Sequence, residues 1–405
     1  MSAVTSVLRD DAARATAIGV HDRSFLVEAG AGSGKTAVMA GRIAALLAAG
    51  AAPRSIAAVT FTELAASELL IRVREFVETL RAGEIPREMR TAFPEGLDAA
   101  GRTNLASAAE TIDEIVCTTI HGFCQRLVTP FPAEADIDAG ASVLDPAEAD
   151  LLFEDTLESW LREALDGTPD SLLAELALTD PENTIKAYRL VAEPLRKRRR
   201  LEVTAPDRVA PRVQAFLDAV GAFRRLLDGV PFVEEETLEI LACFERMVAA
   251  CRTLDPDESA HDLARLFFIE IESHLCTSGG TFKSYRKKGK WEAAAKLAGF
   301  AKADGQRQND LATAAYQTCC GTWTDLTGAT GARVLAAIVE TLAPVVDRFQ
   351  MAKRAAAAMD FDDLIFATRD LLHDHEPVRR ALGERYAHVL VDEFQDTDPI
   401  QTEIF

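Results

Sequence analysis

Residues 29–36 read AGAGSGKT, between an apolar run, SFLVE at 24–28, and an amphipathic stretch that stops at Gly50. This octapeptide constrains the fold more than any other part of the chain. A strand must end and a helix begin while the backbone curls around an anion. Gly30, Gly32 and Gly34 permit the turn and let backbone N–H groups approach a phosphate. The start of the next helix adds its positive end. Lys35 brings charge to β- and γ-phosphates, and Thr36 offers a hydroxyl to magnesium. Ala29 stands where the pattern usually opens with glycine. The candidate nucleotide site is therefore Ala29, Gly30, Ala31, Gly32, Ser33, Gly34, Lys35 and Thr36, with ATP and Mg2+ as the expected ligands.

A second motif, VDEFQDT at 391–397, answers the first from the far end of the chain. Asp392 follows the apolar run HVLV, where a strand would deliver a metal-binding carboxylate. Glu393 is suited to orient and deprotonate an attacking water, and Gln395 to sense the γ-phosphate. Acids at strand ends are more often solvated or cap helices. Paired with the glycine loop, they read as chemistry. The catalytic candidates are Lys35, Asp392, Glu393 and Gln395; the metal candidates are Thr36 and Asp392.

Four apolar runs, at 24–28, 55–61, 114–119 and 388–391, read as strands. Helical patterns lie between them, at 36–50, at 121–127, and through Leu69, Val73, Phe76 and Leu80 on one face. Such alternation predicts an α/β fold, a parallel sheet covered on both sides. Between about 140 and 350 the rhythm disappears. Asp145, Pro146 and Glu148 mark a helix start. Leu157, Trp160, Leu161 and Leu165 share its face, and Gly167 ends it. Later helices are expected at 208–228, 233–253 and 333–372, the last kinked at Pro344, with a flexible loop at 277–290. Three segments follow: 1–140, a helical insertion at 141–352, and a return at 353–405.

Lys and Arg number 44 against 64 Asp and Glu, a net charge of −20, which argues against a nonspecific nucleic-acid coat. Two local tracks remain. One is the run 196–200, by default a solvated face; the other is Lys283, Arg286, Lys287, Lys288 and Lys290 beside Tyr285 and Trp291. No window holds ~18 uncharged apolar residues, so no membrane span is expected. No apolar signal core precedes Arg9, Asp10 and Asp11. The seven cysteines lack any C-x-x-C pair and read as reduced, which predicts a cytoplasmic protein.

AGAGSGKT, AVTFTELAASEL, TTIHGFCQRL, MDFDDLI and VDEFQDTDPIQ occur in an order that resembles the UvrD/Rep family of superfamily 1 DNA helicases. TIHGFCQRL, then FPAEADI and VLDPAEADLL, is most similar to the AddA/RecB helicase-nuclease branch. The likeness is strong over about 1–150 and 355–405 and loose between. It implies a RecA-like P-loop NTPase sheet with a large inserted all-helical domain. It implies ATP hydrolysis coupled to movement on single-stranded DNA in double-strand break repair, with an AddB/RecC-like partner subunit. By the same resemblance, Thr60, Phe61 and Thr62, then Thr119, His121 and Phe123, contact the DNA strand. Simpler readings stand beside these: Phe61 as core, His121 as a helix cap, Asp362 and Asp363 as a helix start. The family's adenine-contacting glutamine is replaced by Ala13, with Arg14 kept in the nucleotide site, so base selectivity stays open. The chain stops at Phe405, eight residues past the acidic motif. The family's second motor domain, with its arginine fingers, would lie beyond. The expectation is either the leading half of a longer motor or a truncated nucleotide- and strand-binding module with little turnover. A small-molecule kinase is the competing class, and the order of the strand-contact motifs speaks against it.

Overall fold

A computed structural model of the chain describes residues 10–405 apart from 31, 168–170, 200–202 and 206–207. It resolves two compact units, Met1–Ala149 with Lys353–Phe405, and Asp150–Ala352. In chain order the elements begin with helices α1 (Asp11–Gly19) and α2 (Lys35–Ala48), strand β1 (Ile56–Thr60), and helices α3 (Glu63–Arg81) and α4 (Ala99–Glu110). Strand β2 (Val116–Thr119), helix α5 (Ile120–Val128) and the short strand β3 (Ser142–Val143) follow. Helices α6 (Pro146–Gly167), α7 (Leu172–Thr179), α8 (Pro181–Arg198), α9 (Ala210–Asp228), α10 (Glu235–Cys251), α11 (Ala260–Phe267), α12 (Lys288–Leu297) and α13 (Lys302–Ala355) come next. The chain closes with β4 (Ala358–Met359), α14 (Phe361–Asp374), α15 (Glu376–Arg385), β5 (His388–Val391) and α16 (Pro399–Thr402).

The first unit is built on a parallel sheet of order β2-β1-β5. β1, sequence IAAVT, is buried at every position, as a central strand covered on both faces must be. Ile56 and Ala58 face a core shared with Ile43 and Leu47 of α2 and Leu69 and Val73 of α3. Ala57 and Val59 point the other way, into a core with Phe123 and Leu127 of α5, Leu364 of α14 and Tyr386. Small alanines at 57 and 58 let helices approach the sheet closely on both sides. β3 and β4 pair in parallel as a separate two-stranded ribbon.

The entry to α14 is anchored more deeply than a surface helix start. Asp360 is the N-cap, and its side chain and that of Asp363 form a reciprocal capping box. Lys353, 1% exposed, reaches both carboxylates, at 2.7 Å to Asp360 and 2.6 Å to Asp363. Burial alone would raise the Asp360 carboxyl. The Lys353 charge and hydrogen bonds from Lys353 and Asp363 outweigh it and hold the group below the usual carboxylate range.

The described residues of the second unit form helices and one isolated antiparallel bridge, Cys276 to Phe282. It has two cores. α9, α10 and α12 bury Phe216, Phe223, Phe244 and Trp291 against Trp323 and Leu326 of α13. α6, α7, α8 and α11 bury Leu157, Trp160, Tyr188 and Leu263 against Val334, Ile338, Leu342 and Phe349 farther along α13. That helix is long and apolar enough to cross a membrane by length and composition. Its apolar residues instead wall the two cores.

Three sequence expectations need correction. Residues 24–28 form no strand: Phe25, Leu26 and Val27 are exposed by 37%, 74% and 47%. Propensity favours extension there, but a strand needs a hydrogen-bonding neighbour, and this segment pairs with neither edge strand of the β2-β1-β5 sheet. The helix expected at 333–372 breaks after Ala355, where Ala357 takes a left-handed φ of +47° and β4 intervenes. The polar stretch 277–290 already becomes helical at Lys288.

Candidate active site

The glycine loop turns sharply into α2. Gly32 and Gly34 have φ of +74° and +86°, a region side chains avoid, so both positions require glycine. Gly30 does not: its φ is not positive, and a Cβ there would meet nothing within 4 Å. Gly34 is the N-cap of α2 and has no side chain to cap with, so the first N–H groups of the helix face the loop. Ala31 lies outside the described residues. Arg14 reaches from α1 to donate to the Ser33 carbonyl at 2.6 Å and pairs with Asp10 at 2.7 Å. Its guanidinium therefore holds the loop backbone, which is the role the geometry supports for it.

At the other end, the Asp392 N–H donates to the Val59 carbonyl at 2.8 Å, so the ladder continues one residue beyond β5. The next residue, Glu393, leaves the sheet with a left-handed φ of +51°. Such backbone strain on a non-glycine residue is common at functional turns. The turn aims its carboxylate at the loop: Lys35 Nζ lies 3.1 Å from Glu393 Oε2. Gln395 donates to the same oxygen. The Gln395 hydrogen bond first, then the Lys35 hydrogen bond and charge, hold the Glu393 carboxyl below its usual range. Asp392 accepts from the Glu393 N–H at 3.0 Å. Among the described residues no cluster of three or more acidic, histidine or cysteine side chains can cage a metal. One hydroxyl, Thr36, and one carboxylate, Asp392, are hard oxygen donors of the kind magnesium takes when phosphate and water complete its shell.

The strand-contact candidates divide by exposure. Phe61 is 67% exposed, so it is not core. Thr62 caps α3, accepting from Ala65 N at 3.1 Å. Thr119 caps α5, accepting from Gly122 N at 3.2 Å, and donates to Glu63 Oε1 at 2.9 Å. His121 lies against Phe361, with ring centroids 4.7 Å apart. Its burial lowers the imidazole pKa, and Asp398 opposes this only partly. Thr60 and Phe123 are each 3% exposed, so a DNA strand cannot reach their side chains. Thr60 donates to the Thr62 carbonyl at 3.0 Å and shapes the turn, while Phe123 packs against Tyr386 and Phe405.

The basic tracks are largely engaged within the second unit. The Arg196 side chain, 9% exposed, pairs with Asp150 at 2.8 Å and lies over the ring of Phe153. It is neither solvated nor a free DNA contact, and Arg200 lies outside the described residues. Lys287 and Lys290 both pair with Glu236, whose carboxyl they pull down to about 2. Arg126 and Arg385 are not among the sequence candidates. Neither belongs to a basic run, and only the fold lines one groove with both.

A glycine loop opening a helix opposite an acidic strand end, in a mostly helical chain with a small parallel sheet, marks a mixed α/β protein with a candidate nucleotide site. The family described as the UvrD/REP helicase N-terminal domain matches residues 10–405, and the chain belongs to that family. Among similar proteins is the A subunit of the ATP-dependent helicase/nuclease of Desulforudis audaxviator, 32% identical over 44% of this chain and 14% of its own length. Proteins of the same name from Pediococcus pentosaceus and Geobacillus kaustophilus are 24% and 26% identical over 96% of the chain. The chain spans 32% and 33% of those two relatives' length.

Proposed function

We propose that the chain is the ATP-binding part of a DNA helicase, coupling ATP hydrolysis to movement along single-stranded DNA. In this reading the first unit is a RecA-like motor domain and the second an inserted helical domain. The whole protein acts in double-strand break repair in the cytoplasm with an AddB/RecC-like partner subunit. The observation that carries the reading is the Lys35–Glu393 contact. Residues 358 positions apart meet at 3.1 Å, so a loop suited to phosphate faces a carboxylate suited to water.

The same contact suggests the order of events. Lys35 cannot serve Glu393 and a γ-phosphate equally. When phosphate oxygens take the ammonium, Glu393 loses a stabilising charge and becomes more basic. It then accepts a proton from water attacking the γ-phosphorus as the bond to the β-phosphate oxygen breaks. Gln395 keeps the carboxylate aimed. Magnesium on Thr36 and Asp392 would neutralise charge on the β- and γ-phosphate oxygens. Arg14 holds the loop while this happens. DNA would cross Phe61, Thr62, Thr119 and His121, on the exits of β1, the strand beside the acidic motif's own β5, and of β2, the next strand over. Steady-state ATP hydrolysis with and without single-stranded DNA, in parent and Glu393→Gln, tests the reading. Turnover that is DNA-independent, or unchanged in the variant, would overturn it.

A further inference from the structure

The first unit carries a groove that this mechanism does not use. About 530 Å³ in volume, it is lined by Glu63, Thr118, Gln125, Arg126, Thr129 and Arg385 among others. Arg126 forms no ion pair among the described residues. Arg385, the last residue of α15, rests over the Tyr386 ring at 5.2 Å and likewise has no carboxylate partner there. Some arginines of the same unit are paired, Arg74 with Asp113, Arg81 with Glu78 and Arg354 with Asp136, while Arg126 and Arg385 stand together in one groove. Two guanidinium groups without an ion-pair partner outnumber the single carboxylate of Glu63 in this groove and favour an anion between them.

The groove continues from the surface proposed to hold DNA. His121, Gln125 and Thr129 follow one another at four-residue intervals along α5 and its C-cap, one above the other on a single face. At 1.5 Å per residue, this line is about 12 Å long. It leads from the His121–Phe361 pair to the arginines. Glu63, held by the Thr119 hydroxyl, puts a negative charge on the groove wall and disfavours phosphate on that side.

We propose that this groove extends the single-strand track. Arg126 and Arg385 each neutralise one phosphodiester of the strand that passes His121. Gln125 and Thr129 supply neutral hydrogen bonds, and Glu63 confines the backbone to the arginine side. The inference rests on the proposed single-strand function and adds to it the residues that hold the backbone.

The test is titration of the 405-residue chain with a labelled thymidine oligonucleotide over a range of salt. The variants are Arg126→Gln with Arg385→Gln, Arg126→Lys with Arg385→Lys, and Glu63→Gln. Each phosphate neutralised on a single strand contributes about −0.7 to the log–log salt slope. The glutamine pair should flatten the slope by about 1.4 and weaken binding about tenfold or more at low salt. The lysine pair should keep the slope. Glu63→Gln, which preserves the Thr119 hydrogen bond, should tighten binding about twofold to fivefold. A parental slope in the glutamine pair overturns the inference while leaving single-strand binding intact. Loss of salt-dependent binding in the parent itself sinks the functional reading. Should the glutamine pair unfold, Glu63→Gln decides: equal or weaker binding overturns the groove.

Discussion

At the residue scale, two substitutions separate binding from chemistry. Lys35 is the loop's side-chain charge, so Lys35→Ala should weaken ATP·Mg binding by about ten- to a hundredfold, the worth of a charge-assisted contact. Equal titrations of variant and parent would show that the loop is not the phosphate site. Glu393→Gln should act oppositely on binding. It removes the carboxylate that holds Lys35 at 3.1 Å, so ATP affinity should persist or rise by up to about fivefold. Hydrolysis should fall by about two to four orders of magnitude, as for loss of a general base. Single-turnover hydrolysis beside equilibrium titration reads both. The types of these residues and their chemistry are legible in sequence. Their mutual distance is not, nor is the inward turn of Thr60 and Phe123, because exposure depends on what packs above a position.

At the element scale, helix starts are legible because capping is local. Asp145, Pro146 and Glu148 open α6 with hydrogen bonds of 2.8 Å and 3.0 Å between Asp145 and Glu148, as their spacing predicts. Strand pairing is not local. SFLVE and HVLV look alike on paper, yet only the second lies beside β1. Thr119→Ala should remove the α5 cap and the tether on Glu63, lowering stability by about 1 kcal/mol in chemical denaturation. A variant as stable as the parent would show that the cap is dispensable. The buried Lys353 cluster is a stronger lever. Lys353→Met leaves Asp360 and Asp363 buried without their cation and should cost about 3–5 kcal/mol near neutral pH. The pH sign follows from the depressed Asp360 pKa. In the parent its contribution is fully present above the unfolded value of about 3.9 and is lost as pH falls through the folded value. In the variant the Asp360 carboxyl loses the cation that holds it down, so the gap between parent and variant should narrow as the solution is acidified. Denaturation at a series of pH values checks this; a widening gap would refute it.

At the scale of the whole molecule, the candidate nucleotide site and the tryptophans belong to different units. Trp160, Trp291 and Trp323 all lie in the helical cores of Asp150–Ala352, while the phosphate loop and acidic motif lie in the other unit. Tryptophan fluorescence should therefore report unfolding of the helical unit alone. Added ATP·Mg should raise the transition seen by far-UV circular dichroism more than the one seen by fluorescence. Coincident transitions that shift together would mean that the units unfold as one. By itself, the sequence determined which residues are candidates for a phosphate site, where helices begin, and which family motifs occur and in what order. These rest on local chemistry: glycine's freedom, a cap's hydrogen bond, the periodicity of apolar side chains. Only the tertiary structure decided that Glu393 meets Lys35, that Arg14 holds the loop, that residues 24–28 stay unpaired, and that Arg126 and Arg385 share a groove. Each of these depends on groups distant in sequence becoming neighbours, and sheet order and packing set that neighbourhood rather than any single segment.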